Sequence, residues 1–377
     1  MPKSNSNQNG SSGRIRYAVV GLGWIAQEVI LPGFKGAKNS ELVALFSDDA
    51  EKLQELGQKY NVEDTLNYSQ YDEFLRSGKV DAVYITVPNN LHKDYTLRAA
   101  QAGVHVLCEK PMADNVAECE EMIRAAQQNN VKLMIAYRLH FEPANLHAVE
   151  LAQSGKLGDL RIFSSVFSQQ VPQGNVRLKK SSGGGPLMDM GVYPINAARY
   201  LFREEPLEVT AVGANSGDPR FTEVHEMVSA VLRFPQDKLA VLTCSFGAAP
   251  VDSYQLLGTK GELLLEPAFD YHTNPKLRLK IADDEDKKKF DKVDQFGGEV
   301  EYFSRCILED QEPEPSGQEG LADIRIVEAL LESMRTRQPV QLPPFQKEAR
   351  PGEEQAMHKR AVKPVKDLVN AQSASGQ

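Results

Sequence analysis

Lys110 stands between Glu109 and Pro111, directly after the apolar run V-H-V-L-C at residues 104–108. The carboxyl ends of strands are where open α/β sheets bind ligands. Pro111 fixes its own φ and disfavours a helical conformation at Lys110, so the cation stands on a stiff turn that can be aimed. Taken alone, Glu109 and Lys110 could equally be two solvated charges at a strand end. Asp189 and Tyr193 form a second group. They lie four residues apart in a helical pattern that follows Gly183, Gly184, Gly185 and Pro186, so they share one helix face. Pro194 comes next and tends to kink the helix there. The pair could be an ordinary polar pair on an interdomain helix. Facing Lys110 across a cleft, it could do chemistry. A nearby cation favours the anion of a phenol, and oxidation of a secondary alcohol requires a group that accepts the hydroxyl proton.

A third group could hold a dinucleotide. Residues 15–20, I-R-Y-A-V-V, read as a β-branched strand. They run into Gly21, Leu22, Gly23, Trp24, Ile25 and Ala26, a G-x-G-x-x-A turn followed by a helical pattern. The first glycine permits a tight turn, and the second lets backbone approach a pyrophosphate. Ala26 permits close helix–strand packing, and the helix N-terminus attracts the anion. The second strand, 41–46, ends at Ser47, with Asp48, Asp49 and Lys52 following. An acidic residue at this strand end accepts hydrogen bonds from the ribose of NAD, whereas Ser47 with Lys52 suits the 2′-phosphate of NADP. A shift of one residue would place Asp48 there and reverse the preference. Pro88, Asn89 and His92 occupy a further loop, after the strand 82–86.

These groups need a scaffold. Strands alternate with helical stretches (50–60, 71–75, 94–102, 116–128) over residues 15–138, which predicts βαβ units and a parallel sheet. Beyond a helix at 143–153 the pattern changes. Strand-like runs at 160–167, 209–214, 227–234, 239–246, 261–265 and 277–281 are separated mainly by turns, which predicts a mainly antiparallel open sheet. The charged run 283–289 reads as a solvated loop. Helical patterns return at 300–308 and 321–334. The expected organisation is a dinucleotide-binding domain at 14–138 and a substrate and oligomerisation domain at 139–345. Residues 1–13 and 346–377 read as flexible tails.

Composition narrows the function classes. The chain has 377 residues, 41% hydrophobic and 25% charged, enough for about two ordinary globular domains. A net charge of −9 argues against a general nucleic-acid or anionic-membrane surface. Cys108, Cys119, Cys244 and Cys306 match no zinc spacing, so no metal is expected. Dispersed thiols, no apolar leader and no long apolar run make the cytoplasm the expected location.

The chain resembles the Gfo/Idh/MocA oxidoreductases, most closely their glucose–fructose oxidoreductase branch, over residues 14–342. The resemblance rests on G-L-G-W-I-A (21–26), P-N-N-L-H (88–92), C-E-K-P-M-A (108–113), Y-R-L-H-F-E-P (137–143) and G-G-G-P-L-M-D-M-G-V-Y (183–193). It implies a Rossmann domain followed by an α+β domain, a nicotinamide cofactor, and a sugar or polyol substrate. By position, Lys110 would bind the reacting hydroxyl, Asp189 would orient the substrate, and Tyr193 would be the acid/base. Arg138 would contact cofactor and Arg177 substrate, and the S-x-x-A-E-K spelling at Ser47 to Lys52 would accompany NADP. It also implies a homodimer or homotetramer. Two other readings keep the fold: a non-catalytic nucleotide-binding regulator, and an NAD-dependent elimination or glycoside cleavage. The set Lys110, Asp189 and Tyr193 favours an oxidoreductase over a regulator, which has no need of an acid/base.

Overall fold

The computed structural model describes residues 13–363 and 365–373. Most of the expected N-terminal tail, residues 1–12, lies outside the described residues, as do 364 and 374–377. Six strands form the first sheet: β1 (Ile15–Val20), β2 (Ser40–Phe46), β3 (Asp64–Leu66), β4 (Ala82–Ile85), β5 (His105–Glu109) and β6 (Leu133–Ala136). Their order is 3-2-1-4-5-6, and every pairing is parallel. Val19, Val20, Val83, Tyr84, Val106 and Leu107 have no exposed surface, as expected of a parallel sheet covered on both faces. The strand order reverses between β1 and β4, so the chain leaves their carboxyl ends in opposite directions and opens a crevice. This crevice positions everything that follows.

Two helices of this domain start where a side chain satisfies free amides of the first turn. Asp49 accepts from Glu51 N and Lys52 N at the start of Ala50–Tyr60, and Asn115 accepts from Glu118 N at the start of Val116–Gln128. The chain returns to this sheet late. The helix Gln295–Leu308 packs on β1 and β2, where Tyr17 Oη and Ser40 Oγ lie 2.9 and 2.7 Å from Ser304 Oγ. The expected single boundary near residue 138 is thus crossed again, because Phe296, Val300 and Phe303 complete the core against β1.

Nine strands form the second sheet: β7 (Leu160–Ser168), β8 (Glu208–Ala214), β9 (Met227–Arg233), β10 (Leu239–Ser245), β11 (Val251–Gly258), β12 (Gly261–Glu266), β13 (Lys276–Ile281), β14 (Asp284–Lys289) and β15 (Val340–Gln341). Their order is 14-13-12-11-7-10-9-8-15. β7 and β10 pair in parallel, and the other pairings are antiparallel. One face buries Phe163, Ala240, Leu242 and Leu256. The helix Val192–Phe202 packs on that side and carries Tyr193 at its start.

Two expectations change. Residues 283–289 are not a loop: D-E-D-K-K-K forms the edge strand β14, with every side chain exposed. Its backbone pairs with β13, and its charges pair across the strands, as in Arg278–Glu285 at 3.5 Å. Charge on an edge strand also blocks pairing with another chain. The described part of 346–377 has little regular structure but is pinned rather than loose. Lys347 pairs with Glu314 and Glu319, and Arg350 with Glu205, all of them buried or nearly so.

Candidate active site

Gly21 ends β1 with φ +103°. A Cβ there would lie 2.9 Å from the Thr86 carbonyl and Val87 N, so only glycine allows this approach. Thr86 Oγ1 donates to Gly21 O at 2.6 Å and fastens the turn to the end of β4. Gly23 differs. A Cβ there would meet nothing within 4 Å, so the space above the turn is open. The helix that follows starts at Trp24 and contains a π-helical turn, Ala26–Ile30. Gly23, Trp24 and Ile25 line a cleft of 950 Å³ between the two domains. That volume is within the range of small-molecule and cofactor sites, about 300–1,000 Å³.

Lys110 extends from the end of β5 into this cleft. Its Nζ donates to the main-chain oxygen of Asp189 at 2.9 Å and lies 3.5 Å from Asp189 Oδ1. The same ammonium lies 4.5 Å from the centroid of the Tyr193 ring. Arg177 Nε donates to the other carboxylate oxygen of Asp189 at 2.9 Å. Burial pushes the Asp189 carboxyl up, but Arg177 and Lys110 together outweigh it and hold the group below its ordinary value. Asp189 therefore stays anionic and fixes two cations. A second π-helical turn, Leu187–Gly191, carries Asp189 and runs into Val192–Phe202. Asp189 and Tyr193 thus converge on Lys110, although the helix between them is wider than an α-helix. Such turns recur at functional sites.

Arg138 is buried behind Tyr193. Its guanidinium lies 5.1 Å from the Tyr193 and Tyr271 ring centroids and 5.8 Å from that of Phe296. It donates to Gln295 Oε1 and the Phe269 carbonyl. Among the described residues it forms no ion pair within 4 Å. Below Lys110, Tyr84 Oη donates to Glu109 Oε1 at 3.0 Å and lies 3.5 Å from Glu299 Oε2. Burial pushes Glu109 up, although Lys110 and Tyr84 oppose it. Burial and then the Glu109 charge push Glu299 up much further, which favours its neutral acid form.

At the far end of the cleft, β2 ends at Phe46 and Ser47 follows. Ser47 Oγ accepts from Asp49 N at 3.1 Å. The two aspartates that could repel a phosphate are engaged elsewhere. Asp48 Oδ1 accepts from Asn67 Nδ2 at 2.8 Å, and Asp49 Oδ1 caps the helix Ala50–Tyr60. Lys52 lines the cleft.

Most residues expected from the sequence meet here: Gly23, Trp24, Ile25, Lys52, Pro88, Asn89, Glu109, Lys110, Arg138, Arg177, Asp189 and Tyr193 line one cleft. Leu22 and Ser47 are buried and lie outside its lining, and Gly21 contributes backbone shape. His92 has no exposed surface, and its two ring nitrogens each lie 2.9 Å from a carbonyl, of Pro111 and of Val87. Burial holds its pKa below the usual histidine value. It ties the P-N-N-L-H loop to the E-K-P loop and also lines the cleft. Asn89 adds a link between domains, donating to Gly183 O at 3.0 Å. The sequence reading missed Phe269, Asp270, Tyr271 and Asp252, and it missed Asn370, Ala371 and Gln372. The aromatic and acidic cluster P-A-F-D-Y-H after β12 was the available signal for the first three; for Asn370 to Gln372 there was none.

A nicotinamide dinucleotide suits this site by shape and donors. Open space above Gly23 leaves room for a pyrophosphate at a helix N-terminus, and Lys52 supplies a cation for phosphate at the ribose end. Lys110, Asp189 and Tyr193 line the same cleft.

Comparison with known proteins agrees. Residues 15–137 match a family described as an oxidoreductase family with an NAD-binding Rossmann fold, and residues 145–264 match the GFO/IDH/MocA C-terminal domain. The chain is 32% identical over 343 residues to the D-xylose 1-dehydrogenase [NADP(+)] of Haloarcula marismortui, covering 89% of this chain and 95% of that protein. Among solved structures, the aldose-aldose oxidoreductase from Caulobacter crescentus, complexed with glycerol, superposes with a TM-score of 0.84. It is 36% identical, covering 87% of this chain and all of that one. A 3-ketoreductase from Actinomadura kijaniata, in complex with NADP and TDP-benzene, gives a TM-score of 0.78 at 27% identity, covering 85% and 98%.

Proposed function

The chain belongs to the Gfo/Idh/MocA oxidoreductase family, and on that premise we propose that it is an NADP-dependent aldose dehydrogenase or reductase. The observation that carries this reading is the convergence of Lys110, Asp189 and Tyr193 in one cleft with the Gly23 turn. Relatives similar over nearly their whole length support the substrate class, being two D-xylose 1-dehydrogenases and an aldose-aldose oxidoreductase, and the two dehydrogenases, named for NADP(+), support the cofactor.

The cofactor, when bound, supplies the site that takes or gives the hydride. The chain's residues do the rest. Lys110 Nζ binds the oxygen of the reacting hydroxyl, and Asp189 holds that ammonium in place from its side chain and main chain. Tyr193 Oη takes the hydroxyl proton in oxidation and returns it in reduction. The Lys110 and Arg138 cations flank the Tyr193 ring, 4.5 and 5.1 Å from its centroid, and so fix where the phenol stands. Arg177 fixes the second oxygen of Asp189 and limits how a sugar can enter. A regulator without chemistry would gain nothing from a buried ammonium set beside a phenol. Incubation of the purified protein with NADP and a panel of aldoses, followed by absorbance of the reduced nicotinamide, tests the reading. No reduction with any aldose, and no oxidation of NADPH by the matching lactones or ketoses, would sink it.

The reading extends to assembly and location. The outer face of the second sheet leaves Ile162, Val166, Val231, Leu239, Val241 and Val251 about two-fifths exposed on neighbouring strands. An apolar face of this kind is suited to cover by a second copy in a two-fold dimer. A monomer by light scattering at micromolar concentration would remove this part. The four cysteines are all buried and unpaired, which fits work in the reducing cytoplasm.

A further inference from the structure

Beyond β15 the chain travels more than 20 residues without a long helix or strand, yet it is held at intervals. Met357 N donates to Phe141 O at 2.9 Å, and Asp294 N donates to Lys359 O at 3.0 Å. The chain then reaches the helix behind the glycine turn. Val365 N donates to Glu28 O at 3.2 Å. The Gln27 side chain clasps Val369: its Nε2 donates to Val369 O at 2.9 Å, and its Oε1 accepts from Val369 N at 2.8 Å. Asn370 Nδ2 donates to Asp49 Oδ2 at 3.1 Å and to Glu51 Oε2 at 2.8 Å. On the opposite bank, Asn175 Nδ2 lies 3.4 Å from Ser373 O. Asn370, Ala371 and Gln372 line the same cleft as Trp24 and Lys52.

We propose that residues 365–373 are part of the dinucleotide site: a strap across its adenosine end that holds NADP in place between turnovers. The proposal rests on the NADP reading above and adds a retention device to it. Three features carry it. First, the strap joins both banks of the cleft, from Gln27 and Asp49 on the dinucleotide domain to Asn175 beside the Arg177 loop. Second, its anchors lie beside the path of the cofactor rather than on it. The bonds of Val365, Val369 and Asn370 go to Gln27, Glu28, Asp49 and Glu51, and none goes to Gly23, Trp24 or Ile25. Third, Gln27 is 1% exposed, and its Nε2 also donates to Leu22 O at 2.9 Å. The clasp on Val369 is thereby tied to the glycine turn itself. Asn370 has a second effect: it occupies acceptor atoms of Asp49 and Glu51, two carboxylates that follow the end of β2 beside Lys52.

The chain contains a single tryptophan, Trp24, and it lines the cleft, so its fluorescence reports cofactor release directly. NADPH is loaded, then displaced by excess NADP in a stopped-flow instrument, and the dissociation rate is read from Trp24 emission. Three proteins are compared: wild type, a chain ending before residue 365, and Asn370→Asp, which sets a third carboxylate against Asp49 and Glu51. Release should be about 10-fold faster in Asn370→Asp and about 100-fold faster in the shortened chain, the usual place for affinity differences to appear. Rates within about twofold of wild type in both variants would overturn the strap. So would slower release from the shortened chain, which would mean that the segment occupies the site instead of covering it. Should the shortened chain fail to fold, Asn370→Asp decides alone. A wild type that binds no NADPH would overturn the NADP reading itself, whereas binding that is indifferent to both changes overturns only the strap.

Discussion

Lys110 and Asp189 belong to different domains, yet the ammonium of one donates to the main-chain oxygen of the other at 2.9 Å and lies 3.5 Å from its carboxylate. The contact sets the distance between the two halves of the site. Lys110→Met keeps the length of the side chain and removes its charge. The variant should lose about 10²- to 10³-fold in kcat/KM for the sugar, the usual cost of deleting one preorganised charge or donor. Its NADPH dissociation constant should change far less. Steady-state kinetics on both substrates checks this, and a variant with wild-type kcat/KM would remove Lys110 from the chemistry.

Cofactor choice follows from the ribose end of the cleft. Asp48 and Asp49 are engaged by Asn67 and by the start of a helix, and Lys52 faces the cleft. NADPH should bind at least about tenfold more tightly than NADH, and Lys52→Ala should erase most of that difference. Titrations followed by Trp24 fluorescence measure both constants. Tighter binding of NADH to the wild type would contradict the assignment of this end of the site.

Asp252 lines the cleft with one carboxylate oxygen satisfied by Ala268 N and Phe269 N, at 2.9 and 2.7 Å. Its other oxygen is buried and has no hydrogen-bond partner among the described residues. Burial pushes its pKa up to about 6. The folded value is above the unfolded one, so the group's contribution is fully present below about pH 4 and is lost as pH rises through 6. Asp252→Asn should therefore stabilise the protein at pH 8 by on the order of 1–3 kcal/mol, with the gain vanishing towards pH 4. Thermal melts of both proteins across that range test it, and a gain that does not vary with pH would count against the assignment.

The parts of this molecule that the sequence displays are those set by local steric or periodic rules. Gly21 and the E-K-P turn were legible because close backbone approach and a proline-fixed turn restrict residue type. The helix Val116–Gln128 was legible from its spacing of apolar residues. β11 was not, since only Tyr254 and Leu256 among its eight residues are well buried, and the run V-D-S-Y-Q-L-L-G shows weak alternation. β14 was hidden for the opposite reason: every side chain is exposed and charged, and only main-chain pairing with β13 makes it a strand. The strap at 365–373 carries no period at all. Its placement depends on Gln27 and Asp49, more than 300 residues earlier. In the site, Lys110 and Tyr193 were readable as candidates one at a time, but the cage of Tyr271 and Phe296 around Arg138 exists only in three dimensions.

The central claim is that Tyr193 exchanges the hydroxyl proton while Lys110 holds the oxygen. A single-turnover experiment addresses it most directly: enzyme loaded with NADP is mixed with an active aldose, and formation of the reduced nicotinamide is followed for wild type and Tyr193→Phe. The account predicts a rate lower by about 10²- to 10⁴-fold in the variant, with NADP affinity nearly unchanged. A variant that reduces NADP at the wild-type rate would contradict it.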